Sequence, residues 1–167
     1  MNGIDQLCPN CGQCCNGVLF ADVELRMGDD AKRLTELGLS LEKKGRRQAF
    51  AQPCACFDGR LCRVYAERPV RCRTFECGLL KRVQSGELDA DAALKLIAQA
   101  KRQVEKVCKL LRHVGSDDER LALSQRYRRA MGEPVDLSGG KASVELPGKL
   151  MTAYRDLMQT LQGGFLT

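Results

Sequence analysis

Cysteine dominates the chemistry this chain can do. Cys8-Pro9-Asn10-Cys11-Gly12-Gln13-Cys14-Cys15 is a C-x2-C-x2-C-C run, followed by Cys54, Cys56, Cys62, Cys72 and Cys77, with Cys108 alone further on. A C-x2-C turn brings two thiolates close enough to hold one metal while backbone N–H groups point toward the sulfurs. Gly12 tolerates the positive φ that such a knuckle needs. Taken alone, Cys8 to Gly12 is half of a tetrahedral zinc site, completed by a second C-x2-C elsewhere. Cys14 widens the choice, because three thiolates at two-residue intervals also suit an iron–sulfur cubane. Cys15 points differently from Cys14 and can reach a second site or pack inward. Buried, unliganded thiols are the plain alternative, but a run this dense is hard to reach by core packing alone.

Composition narrows the setting. Nine of the ten cysteines fall in the 70 residues from Cys8 to Cys77, or 13% of that window, above the roughly 8–10% that marks a cross-linked small scaffold. The start, Met1 to Asp5, has neither a basic nor an apolar stretch, which argues against a secretory signal peptide. The expectation is therefore a soluble, cytoplasmic protein with no membrane span, in which a reducing environment leaves metal rather than disulfide as the cross-link. One histidine in 167 residues gives little support to a histidine-dependent triad or a histidine-rich metal site.

The elements that must position these thiols divide the chain in two. Residues 1–84 form a cysteine-rich module with little long-range periodicity. Val18 to Ala21 is expected as a short strand, and Asp29 or Asp30 as the cap of a short helix running to Leu37 and stopped by Gly38. From residue 85 the pattern is helical and is expected to pack on the module as one compact unit. Leu94, Ile97, Val104, Val107, Cys108, Leu111 and Val114 trace one helical face, with Asp89 as its cap and Gly115 at its end. Ser116-Asp117-Asp118-Glu119 has capping-box form and predicts a second helix to Arg129 or Met131. Residues 132–141 read as a linker. A third helix carries Leu150, Met151, Tyr154, Leu157, Met158 and Leu161 and ends at Gly163-Gly164. The predicted fold is mainly α, with an irregular, metal-stapled N-terminal module and few or short strands.

The first run, the Pro53-Cys54 pair and Cys62-Arg63-Val64-Tyr65-Ala66-Glu67-Arg68-Pro69-Val70-Arg71-Cys72-Arg73-Thr74-Phe75 together resemble the CxxCxxCC cysteine-cluster family, the YkgJ-like zinc- or iron-chelating proteins. Members carry CxxCGxCC, a mid-chain P-C, then C-x-x-Y-x-x-R-P-x-x-C-R-x-F. The resemblance implies zinc, iron or an iron–sulfur centre such as [4Fe-4S] on Cys8, Cys11, Cys14, Cys15, Cys54, Cys62 and Cys72, with Cys77 completing eight. It also implies roles beside the centre for Tyr65, Arg68 and Arg73. Cys56 could stand in for Cys54, while Cys108 reads as a core thiol on a helical face. A similar cluster accompanies methyl transfer in the flagellin lysine-N-methylase group. No Gly-rich fingerprint for a nucleotide-like cosubstrate is present here, so that activity is not carried over.

Charge around the second run has two readings. Residues 60–82 hold seven basic and two acidic side chains, which suits a nucleic-acid or acidic-partner surface. It equally suits an offset for thiolates, because a metal-bound cysteine is deprotonated. Two zinc–tetrathiolate sites would bring the formal +6 down to about +2, and one [4Fe-4S] cluster on four thiolates likewise carries about −2. With aromatics at only 5%, base stacking has few platforms, and the offset reading is favoured over nucleic acid. Arg68 and Arg73 then face thiolates or an anion, and Tyr65 and Phe75 pack over the site and limit water. His113, near a helix C-terminus, reads as structural. The leading expectation is a metal-binding protein whose eight thiolates divide into two sets of four, each drawn from both runs. An iron–sulfur oxidoreductase or electron carrier, and a metal-stapled adaptor for a protein partner, are the alternatives.

Overall fold

The computed structural model describes residues 6–132 and 141–166. Its backbone is mainly helical, with three short strands confined to the cysteine-rich half. Among the described residues no helix is long and apolar enough to cross a membrane.

The longest described elements of the fold are the helices α5 (Ala90–His113) and α7 (Lys141–Gly164), which pack along each other. The Asp89 carboxylate accepts the Ala92 N–H at 2.7 Å, and Arg112 and His113 close the last turn of α5 where cations suit the helix dipole. Gly115 follows at φ 79°. The deepest stripe of α5 is Ala93, Ile97, Ala100, Val107 and Leu111. Leu94, Val104, Cys108 and Val114 lie at its margins, partly buried. The two alanines were absent from the expected face because a methyl carries little hydrophobic signal, yet it is what permits close approach between helices.

α7 buries Leu150, Ala153, Leu157 and Leu161, and the following Phe165 is sealed as well. Met151, expected on this stripe, is 52% exposed, because it falls between the buried rows. Tyr154 stacks face to face on Tyr127 of α6 (Leu123–Gly132), with centroids 3.8 Å apart.

α6 starts later than its capping-box signature predicts. Ser116 instead donates its hydroxyl to the Arg126 carbonyl at 3.1 Å and its N–H to Leu111. Asp118 accepts the Arg120 N–H and pairs with its guanidinium, which turns the chain before α6. The helix is opened by Gln125, whose side chain accepts the Ala122 N–H at 3.2 Å. Arg126, buried to 4% exposure, donates to the Ser116 carbonyl and points a guanidinium nitrogen at Cys108 Sγ, 3.7 Å away. The predicted linker falls mostly on residues 133–140, outside the described residues.

Two short helices tie the cysteine-rich half into this core. α1 (Leu7–Cys11) contributes Leu7 and packs on α5, and α4 (Gly78–Gln84) contributes Leu79 and Val83. The Gly78 N–H donates to the Phe165 carbonyl at 2.9 Å, so the end of the helical layer holds the start of α4.

A second, smaller core sits under an antiparallel sheet of β1 (Asp22–Glu24), β2 (Leu41–Lys44) and β3 (Arg47–Ala51), with β3 in the middle. Val23 and Leu41 pair with Phe50 from either side. Val23, Phe50, Leu34 and Leu39 close over the fully buried Cys56. Leu34 comes from α2 (Ala31–Glu36), capped as expected by Asp30 and followed by Gly38 at φ 100°. The strand expected at Val18 to Ala21 begins instead at Asp22. The preceding loop is set by Gly17, whose φ is 80° and where a Cβ would meet Pro53 and Ala122 backbone atoms at 3.1 and 3.2 Å.

Candidate metal centre

The two cysteine runs, some forty residues apart, are hydrogen-bonded to each other. The Cys54 N–H donates to the Cys15 carbonyl at 2.8 Å, and the Gln52 N–H to the Ala21 carbonyl at 3.0 Å. Gly12 makes a tighter lock. It ends α1 in the left-handed region at φ 69°, as a knuckle glycine should, and a Cβ there would lie 2.6 Å from the Phe57 ring. The first knuckle and the turn after Cys56 are therefore in direct contact.

The remaining cysteines are positioned by short local devices. Asp58 accepts the N–H groups of Arg60 and Leu61 at 2.8 and 2.7 Å, folding the chain back so that Phe57 bridges Cys62. Pro69 fixes the entry to α3 (Val70–Thr74), which carries Cys72. That helix is held to the α2 side by Asp29, which accepts the Val70 N–H at 2.7 Å. A bidentate Arg33–Glu67 pair at 2.7 and 2.9 Å adds a second tie. Cys77 caps α4, its Sγ accepting the Leu80 N–H at 3.4 Å.

All eight expected ligand thiols lie within this assembly, and each of the shifted ones is shaped by the others. Cys8 is exposed at the rim, yet partial desolvation of its thiol still pushes it up, aided by the neighbouring Cys14 and Cys77 thiols. Burial takes Cys11 to about 12, against a Gln13 N–H that donates to its sulfur, with Cys14, Cys77 and Cys8 adding to the rise. Cys54 goes to about 11 and Cys72 to about 12, again chiefly by burial. Cys14 and Cys15 share a thiol contact of 3.7 Å; it lowers Cys14 to about 7 and drives Cys15 upward. Among the described residues, no three cysteine, histidine or acidic side chains already converge as a coordination sphere.

The donor chemistry fits a soft or borderline metal. The charged and thiol neighbours that shift Cys8, Cys11, Cys15, Cys54 and Cys72 are other cysteines and Arg68, with no carboxylate among them, the kind of donor set that zinc and iron–sulfur clusters select and magnesium or calcium avoid. The Leu80 N–H reaches the sulfur of Cys77, and the backbone at Gln13 and Cys56 lowers Cys11 and Cys54 against their burial. Gln13, between Cys11 and Cys14, keeps both its amide atoms buried without a partner. Such an orphan is costly unless a charged acceptor such as a thiolate takes the proton donor.

Arg68 is the cation facing this group, lowering Cys8, Cys14 and Cys72. Its guanidinium lies 3.7 Å over the Tyr65 ring and donates to the Tyr65 carbonyl. Tyr65, expected to shield the centre, is 64% exposed and serves as a platform for Arg68. Phe75 packs edge-on to Phe20, and Arg73 is exposed on α3. Cys56 has turned inward, its Sγ donating to the Leu37 carbonyl at 3.5 Å. Cys108 stands apart against the helical core beside Arg126. A groove of about 630 Å³ between α5 and α7, lined by Lys106, Lys109, His113, Glu145 and Lys149 among others, contains no cysteine.

The raised thiols set a pH signature. Each proton a metal displaces adds up to about tenfold in affinity per pH unit below that thiol's own value. Unfolded thiols stop contributing near their ordinary 9.0, whereas Cys11 and Cys72 hold protons to about 12. Metal affinity measured against a competing chelator is thus expected to keep rising above pH 9.0 in the folded chain. A denatured chain is expected to level off there.

A family model, CxxCxxCC, described as "Putative zinc- or iron-chelating domain", matches residues 7–109. No curated protein and no solved structure matches the chain.

Proposed function

The chain belongs to the CxxCxxCC family of metal-chelating domains, and from that premise we propose that it holds zinc or an iron–sulfur centre on Cys8, Cys11, Cys14, Cys15, Cys54, Cys62, Cys72 and Cys77. The observation that supports this reading is the hydrogen bonding between the two cysteine runs, which sets Cys54 directly against Cys15. Bound metal would supply a cross-link between the runs and, if iron–sulfur, an electron site. The chain's own residues orient the thiols through N–H···S bonds and offset their charge through Arg68. Cys56 and Cys108 stand outside the ligand set.

Anaerobic isolation followed by metal analysis and an absorbance spectrum tests this. A brown protein with a broad visible band indicates iron–sulfur. A colourless one with stoichiometric zinc indicates a structural site. Protein that holds neither metal under reducing conditions ends the proposal. Electron transfer is the second reading, favoured by the exposure of Cys8, which would bring one edge of a centre to the surface. A visible band that bleaches and recovers reversibly under reductant would support it.

A further inference from the structure

The two apolar cores each have their own thiols. Cys11 and Cys77 pack against the helical core of Leu7, Leu79, Ile97 and Phe165, whereas Cys54 and Cys72 pack against the sheet core of Val23, Leu34, Leu39 and Phe50. The backbone divides along the same line. Cys8 and Cys11 share α1, whose cap N–H at Gly12 returns to the Cys8 carbonyl. The Cys54 N–H is bonded to the Cys15 carbonyl, and Phe57, bonded to the Cys54 carbonyl, bridges Cys62.

Eight thiols exceed what one tetrahedral zinc or one cubane takes from a protein. Cys14 and Cys15 are successive residues whose sulfurs lie 3.7 Å apart, beyond the roughly 2.05 Å of a disulfide. We propose that the thiols form two adjacent centres: Cys8, Cys11, Cys14 and Cys77 against the helical core, and Cys15, Cys54, Cys62 and Cys72 against the sheet core. They meet at the Cys14–Cys15 peptide, with Arg68 donating to the Cys72 carbonyl. Each run lends one cysteine to the centre built mainly from the other. This assignment rests on the chelation reading above and specifies it.

Native mass spectrometry of the full chain under reducing conditions is the test. The wild type is expected to carry two zinc ions, or about eight irons if both centres are cubanes. C11S and C77S each remove one centre, as do C54S and C62S. The double variant C11S/C77S keeps one centre, whereas C77S/C62S keeps none. Where a variant does not fold, alkylation of wild-type thiols during stepwise zinc loading replaces it. Cys8, Cys11, Cys14 and Cys77 should then become protected as one group, and the other four as another. One zinc or a single iron–sulfur cluster per chain, or protection that couples Cys77 to Cys62, overturns the partition and leaves chelation standing. A wild type without metal overturns the chelation reading itself.

Discussion

Stripping metal with a strong chelator is expected to unfold the region from Cys8 to Cys77 while α5 and α7 keep most of their helical signal. The sheet core has few sealed apolar side chains, chiefly Leu34, Leu39 and Phe50 with Cys56. Its surface ties, Lys44–Asp22, Arg47–Glu24 and Arg33–Glu67, are exposed pairs of the kind worth about 0–1 kcal/mol. By contrast, a structural zinc–thiolate site contributes an apparent folding free energy of about 10–16 kcal/mol near neutral pH. Removing that term leaves too little burial to order the loops around the knuckles. Hydrogen exchange read residue by residue gives the clearest measurement. Protection should vanish at the amides of Gln52 and Cys54 and persist at Val107 and Leu111. Unchanged protection at Cys54 after complete metal removal would contradict a folding role for metal.

Phe165→Ala has the second largest expected effect. Phe165 is sealed at 1% exposure in the core shared by α4, α5 and α7, and truncating such a ring costs about 3–5 kcal/mol. Its carbonyl also receives the Gly78 N–H, one residue after Cys77, so the cavity opens beside a proposed ligand. The variant should show a lowered denaturant midpoint together with faster release of metal to a chelator. Met151→Ala, at an exposed position of the same layer, should stay within about 0.5 kcal/mol of the wild type. Equal losses in the two variants would place the helical core elsewhere.

What the sequence disclosed followed the range of the forces involved. Knuckle spacing, the Asp89 and Asp30 caps and the glycines after α1, α2 and α5 are local, and they were legible. The β2–β3 hairpin was not, because the exposed charges Glu42, Lys43, Lys44, Arg46 and Arg47 around its turn hide any alternation there. The start of α6 misled for a related reason. Ser116 and Asp118 were drawn into bonds with Arg126 and Arg120, which a window of four residues cannot weigh. The family was legible from the cysteine spacing. Which thiols neighbour which was not, since that depends on Cys54 meeting Cys15 and on two separate cores.

The stacking of Tyr127 on Tyr154 has an optical consequence. The chain has three tyrosines and no tryptophan, so its ultraviolet emission has two sources. One is a parallel ring pair locked between α6 and α7. The other is Tyr65, beneath the guanidinium that looks onto Cys8, Cys14 and Cys72. Tyrosine emission would therefore read two environments at once, the packing of α6 on α7 and the exposed stack of Tyr65 under Arg68.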